Sequence, residues 1–203
     1  MESNWAAEHL QVIRTLMERS SVYRRALAPI MFVSGTIGTA AALIPLLVKP
    51  LTSNREFSLF WIFVSALALL ASFLLVRRQA LKEAEAFWSL PTRRVSQALA
   101  PAFFVGLSAG AIFVWGPLPD AGWVLALFWI VIYGCALHAA AFFMQRGIKL
   151  FAWLFILAGT ALGLGTIFFE KLQTATAAHS LMGVFFGLLH LAYGVYLYFT
   201  EKK

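Results

Sequence analysis

Six times along the chain, about 20 residues pass without an Asp, Glu, Lys or Arg, and short polar stretches separate the runs. The runs are Ala26 to Val48, Phe57 to Val76, Val95 to Trp115, Trp123 to Met144, Leu150 to Phe169 and Leu181 to Phe199. About 20 apolar residues in helical form cross the roughly 30 Å hydrocarbon layer of a bilayer. The runs are continuously apolar rather than alternating, which points to helices and away from a β-barrel. The expected fold class is all-α, a polytopic membrane protein of six transmembrane helices spanning residues 26–199.

Composition agrees with this pattern. Of 203 residues, 61% are hydrophobic and 12% charged, where a soluble domain carries about 45–50% apolar and about 25% charged residues. The net charge of +7 would suggest nucleic acid in a soluble chain, but its distribution gives it another meaning. Thirteen of the sixteen Lys and Arg fall in the N-terminal segment, the second and fourth loops and the tail, among them Arg24, Arg25, Arg77, Arg78, Arg93 and Arg94. Only Lys49, Arg55 and Lys171 fall on the other side. Positive charge is retained on the cytoplasmic side, so these six arginines orient the chain with both termini inside. The expected setting is a bacterial inner membrane, the expected partner the lipid bilayer, and no nucleic acid is expected. No signal peptide is expected either, because the first 25 residues are mixed polar and charged.

The polar segments carry their own pattern. Trp5, His9, Val12, Leu16 and Tyr23 recur at helical spacing, so residues 1–25 read as an amphipathic interfacial segment. Residues 200–203 form a short cytoplasmic tail. In the second loop Leu81, Ala84, Phe87 and Trp88 repeat the interfacial theme, with Pro91 ending it. Trp61, Trp115, Trp123, Tyr196 and Tyr198 are expected in aromatic belts near span ends, and Trp129 and Tyr133 in the core.

Spans one and three also resemble each other. Ala26 to Pro45 reads ALAPIMFVSGTIGTAAALIP and Ala98 to Pro117 reads ALAPAFFVGLSAGAIFVWGP, with eight of twenty positions identical and an Arg pair before each. Chance agreement in apolar sequence would be about two positions, so a duplicated two-helix hairpin is expected, with spans five and six as a diverged third copy. Pro29 and Pro101 would then lie in the first turns of their helices, where a missing N–H costs little.

In lipid, helices associate through small residues that let backbones approach. Gly35 and Gly38 line span one, and GxxxG pairs occur at Gly106 and Gly110, Gly159 and Gly163, and Gly183 and Gly187. These are the expected helix-packing positions, and one of them would also serve a homo-oligomer. Two such stripes carry a histidine: Gly134, His138, Ala141 and Gln145 on span four, and Gly183, Gly187, His190 and Gly194 on span six. Both rings are expected to point into the bundle. There each either hydrogen-bonds a neighbouring helix or, with its partner, holds a haem, a metal ion or a quinone. The first option is favoured, since no carboxylate is placed to orient either ring. No resident cofactor and no metal site are therefore expected.

Catalytic chemistry has little to rest on. Ser34, Ser65, Ser72 and Ser108 lack a histidine and acid in the required spacing, Cys135 stands alone in an apolar helix, and no intramembrane acid or base marks an ion-coupled carrier. Glu170 lies at an outer span end, where a solvated position is expected. LMERSSVYRRALAPIM (Leu16 to Met31), RGIKLFAWLFI (Arg146 to Ile156) and LHLAYGVYLYFTEK (Leu189 to Lys202) resemble stretches of small six-span bacterial inner-membrane proteins with no assigned activity. That resemblance implies a bacterial membrane setting and no particular chemistry. The expected function is a non-enzymatic accessory or sensor role through the basic cytoplasmic face, with another membrane or cytoplasmic protein as partner. The alternatives are a pore or carrier for an uncharged or lipophilic molecule, and haem or quinone binding through His138 and His190.

Overall fold

A computed structural model describes residues 21–48, 50–82, 84, 86–144 and 146–200. The interfacial segment expected over residues 1–25 therefore lies outside the described residues apart from its last turn, as does the tail beyond Thr200. Every regular element among the described residues is helical. They are α1 (Ser21–Leu43, continued by a π turn over Ile44–Val48), α2 (Asn54–Lys82), α3 (Leu90–Trp115), α4 (Gly122–Ala140) and α5 (Arg146–Gly165). The sixth span is composite: α6 (Ala175–Met182), a π segment over Gly183–Leu188, and α7 (Leu189–Thr200). Six helices are thus long and apolar enough to cross a membrane, and the chain is a multi-pass membrane protein.

Several boundaries differ from the sequence expectation, each for a local reason. α1 and α3 start earlier than their apolar runs, so Pro29 and Pro101 lie inside the helices rather than in the first turns. Each ring removes one amide from the i to i−4 ladder. Pro45 likewise cannot donate to the carbonyl four residues back, and the chain there widens into the π turn. Pro91 does not end an interfacial helix. It sits in the first turn of α3, where its missing N–H leaves no helical bond unmade. The connector before it breaks at Ala84, whose φ of 52° is left-handed.

The fifth span ends at Gly165, four residues before Phe169, because Thr166 Oγ1 turns back onto Gly163 O at 2.6 Å and Gln173 Nε2 donates to Thr166 O at 2.9 Å. The sixth begins at Ala175 rather than Leu181, since Thr174 caps it by accepting from Ala177 N–H at 3.1 Å. That polar cap places one more histidine inside the bundle.

From α1 to α5 consecutive spans are neighbours, and the sixth closes back onto α1 and α4. α4 is the internal member, with half of its window buried against 17% for α2 and for α3. One core joins Leu27 and Met31 of α1, Ile130 and Leu137 of α4, Phe151 and Phe155 of α5, and Phe185 of the sixth span. A second joins Ala41 and Ala42 to Phe57, Trp61, Leu125, Ala126, Ala178 and Met182. The large apolar side chains left outward, such as Phe63 and Phe104, face the bilayer, where lipid tails solvate them as well as protein would.

Candidate functional site: closed histidine networks and an open basic end

His190 follows directly on the π segment. The wider turn changes the amide pairing around it: Leu189 N–H reaches Val184 O, five residues back, and Phe185 O lies 2.9 Å from His190 Nδ1. A carbonyl only accepts, so Nδ1 carries the proton. Nε2 is then an acceptor, and Tyr133 O–H of α4 donates to it at 2.8 Å. The ring is 3% exposed and is walled by Phe151 at 5.2 Å, Phe155 at 5.6 Å and Phe186 at 6.1 Å between centroids.

His138 does not join it. Its ring meets Phe142 at 5.7 Å and Trp153 at 5.5 Å, whereas His190 packs on Phe151 and Phe155. Trp153 lies two residues from each of those, so it points about 200° around α5 at 100° per residue. The two histidines lie on opposite sides of the α4–α5 contact. The residues present therefore do not fit a bis-histidine haem or metal site: the Nε2 lone pair of His190 is occupied, its surroundings are filled by aromatic rings, and the second ring faces elsewhere. Among the described residues no three His, Cys, Asp or Glu side chains converge to hold a metal ion.

A second network centres on His179, which the sequence reading placed in a loop. Trp61 Nε1–H donates to His179 Nδ1 at 3.0 Å, and His179 Nε2–H donates to Leu51 O at 2.9 Å. Trp61 is 2% exposed, which corrects its expected place in an aromatic belt. Nearby, at the end of the bundle away from the Arg pairs, Asn54 ties α2 to the α3–α4 loop. Its N–H donates to Asp120 Oδ1 at 3.1 Å, its Nδ2 to Pro119 O at 2.7 Å, and its Oδ1 accepts from Ala121 N–H at 2.8 Å. The signal for His179 was the N-cap at Thr174, which opens a helix over Ala175–Met182 that Thr174, Thr176, His179 and Ser180 make look like a loop. Trp129 and Tyr133 are half-buried and pack against the two cores, Trp129 Nε1–H donating to Gly106 O at 2.8 Å.

The glycines divide by what they touch. On α1, a Cβ at Gly35 would strike Leu191 N, and one at Gly38 would strike Phe186 O. On the sixth span, a Cβ at Gly183 would come within 2.6 Å of Ala42 Cβ and one at Gly187 within 2.7 Å of Thr39 N. These four glycines close one seam between α1 and the sixth span within a single chain. Gly106 and Gly110 admit Trp129, and Gly110 also admits Ile62, while Gly159 admits Ile130 and Val131 of α4. Gly163 is a correction: a Cβ there meets nothing within 4 Å, so Gly159 and Gly163 do not act as a pair. Among the serines, Ser65, Ser72 and Ser108 donate to carbonyls of their own helices, and Ser34 pairs with Ser72 at 3.4 Å. Cys135 and Glu170 are exposed, and Glu170 lies in a 3-10 turn beyond the end of α5.

At the end that carries the Arg pairs, Arg77, Arg78, Lys82, Arg93, Arg94 and Lys149 are exposed. Arg24 and Arg25 lie in the first turns of α1. Arg77, Arg78 and Lys82 line a groove of about 460 Å³ with Leu74 and Leu81. Arg93 and Arg94 are exposed in the first turn of α3, with Arg94 Cζ 5.8 Å from the Phe143 ring. Lys149 Nζ stands 5.6 Å from Phe142. Comparison of the chain with protein-family models, with curated proteins and with solved structures finds no match.

Proposed function

We propose that this is a membrane-embedded accessory protein without catalytic activity, acting through the basic ends of its helices. The observation that carries the reading is the contrast between closed and open polar groups. His179 and His190 have both nitrogens bonded within the bundle, whereas Arg77, Arg78, Lys82 and Arg93 are exposed. Chemistry or transport requires polar groups free to meet a substrate within the bundle, whereas the described Lys and Arg side chains that are open lie outside the apolar spans, most of them at one end. The Phe151, Phe155, Phe185 and Ile130 core favours this reading over a pore or carrier. The bonded nitrogens of His190 likewise favour it over haem or quinone binding. By the positive-inside rule the open end is cytoplasmic and both termini lie there, in a bacterial inner membrane. The likeness of residues 26–45 to residues 98–117 supports descent of the first four spans from one duplicated hairpin.

Co-purification from native membranes tests the partner. The whole chain should retain a discrete protein that is lost when residues 1–20 are removed, which leaves α1 whole, or when Arg93 and Arg94 are both changed to Glu. Equal recovery from all three forms would contradict the reading.

A further inference from the structure

The groove on α2 presents more than charge. Leu74, Arg77, Arg78, Leu81 and Lys82 follow one another at three- and four-residue steps and so share one face of the helix. Leu74 is 50% and Leu81 73% exposed, which leaves an apolar surface on either side of the two guanidinium groups. No ion pair joins Arg77, Arg78 or Lys82 to another described residue.

Depth supplies the second observation. α2 has 29 residues, about 43 Å at 1.5 Å per residue, against roughly 30 Å of hydrocarbon. Its charge-free stretch ends at Val76. Leu74 therefore lies just inside the hydrocarbon, and Arg77 to Lys82 lie at the level of the headgroups. The chain returns to the same level beyond Ala84, where Phe87 packs on Phe73 at 4.9 Å and Trp88 is 62% exposed. Exposed Trp beside a span end marks the interface.

We propose that this groove holds an anionic phospholipid of the surrounding bilayer. The phosphodiester and acidic headgroup lie against Arg77, Arg78 and Lys82, and the glycerol and upper acyl carbons lie over Leu74 and Leu81. A guanidinium pair meets phosphate oxygens with directed hydrogen bonds, and basic residues just beyond a span attract anionic headgroups. A zwitterionic lipid has the same phosphate but carries its own ammonium, so charge complementarity selects the anionic one. The site goes beyond the accessory reading and does not depend on it, because lipid occupancy is read with no protein partner present.

The test is native mass spectrometry of the full chain released from mixed micelles of dioleoylphosphatidylglycerol and dioleoylphosphatidylcholine. The wild type should retain phosphatidylglycerol selectively. Each surface cation contributes about fivefold, so Arg77→Ala/Arg78→Ala/Lys82→Ala should weaken binding on the order of 100-fold. Arg93→Ala/Arg94→Ala, which removes two cations at the same end of the bundle but off the groove, should keep the selectivity. Equal retention of both lipids overturns the proposal, as does unchanged binding by the triple variant. Displacement by millimolar inorganic phosphate would show an anion site that ignores the lipid, and overturns it too.

Discussion

Tyr133, His190 and Phe185 form a chain in which each polar atom has one role. Tyr133→Phe keeps the ring and removes the donor that His190 Nε2 has among the described residues. The buried nitrogen is left unpaired, and stability should fall by about 1–2 kcal/mol, read as a lower midpoint in detergent unfolding. Ser58 gives the opposite case. Its Oγ is buried without a hydrogen-bond partner among the described residues, so Ser58→Ala removes a desolvated hydroxyl that contributes nothing. That variant should unfold at the wild-type midpoint or above it, and a loss of more than about 1 kcal/mol would show a bond this structure lacks. The sequence located His190 on the right stripe, since Gly183, Gly187 and Gly194 lie beside it at helical spacing. Its partner was not legible: Tyr133 is 57 residues away, and the π turn that aims Phe185 O at the ring leaves no mark in the residue pattern.

At the scale of the helix, the seam between α1 and the sixth span separates glycines that matter from those that do not. Gly38→Ala places a methyl group against the Phe186 carbonyl, and a backbone cannot turn aside as a side chain can. The two helices must part, at about 1–3 kcal/mol. Gly163→Ala has open space and should stay within about 0.5 kcal/mol of wild type. Paired unfolding measurements on the two variants test the assignment, and equal losses would sink it. Small-residue spacing put both glycines in the same class, because spacing reports that a helix has a small-residue face and not which neighbour covers it. Helix ends show a similar limit. The charge-free window overshot α5 by four residues, since apolarity continues past Gly165 while hydrogen bonds from Thr166 and Gln173 end the helix. It undershot the sixth span because Thr174 and His179 read as a loop until their bonds to Ala177 and Leu51 are seen.

For the whole molecule, orientation is the property to measure. Reporter fusions after Lys203 and within residues 84–88 should be active on the cytoplasmic side, and fusions near Pro119 on the far side. The reverse pattern would overturn the topology on which the accessory reading rests. Replacing Arg77, Arg78, Arg93 and Arg94 together by Gln should lower the fraction of correctly oriented chains in the same assay, because the excess of Lys and Arg on that side falls from ten to six.

The number of spans was determined by the sequence alone. Crossing hydrocarbon is a local requirement: each segment must satisfy its own backbone and be apolar over about 20 residues, and both conditions are written in consecutive positions. The tertiary structure decided what the few polar groups do. Whether a buried histidine is a ligand or a closed hydrogen-bonded ring depends on atoms brought from other helices: Tyr133 to His190, Trp61 and Leu51 to His179. Trp61 moved from an expected belt to the core, and His138 away from His190, for the same reason. Packing between helices in lipid is set by shape and a handful of polar contacts, and those arise only when the six spans are assembled.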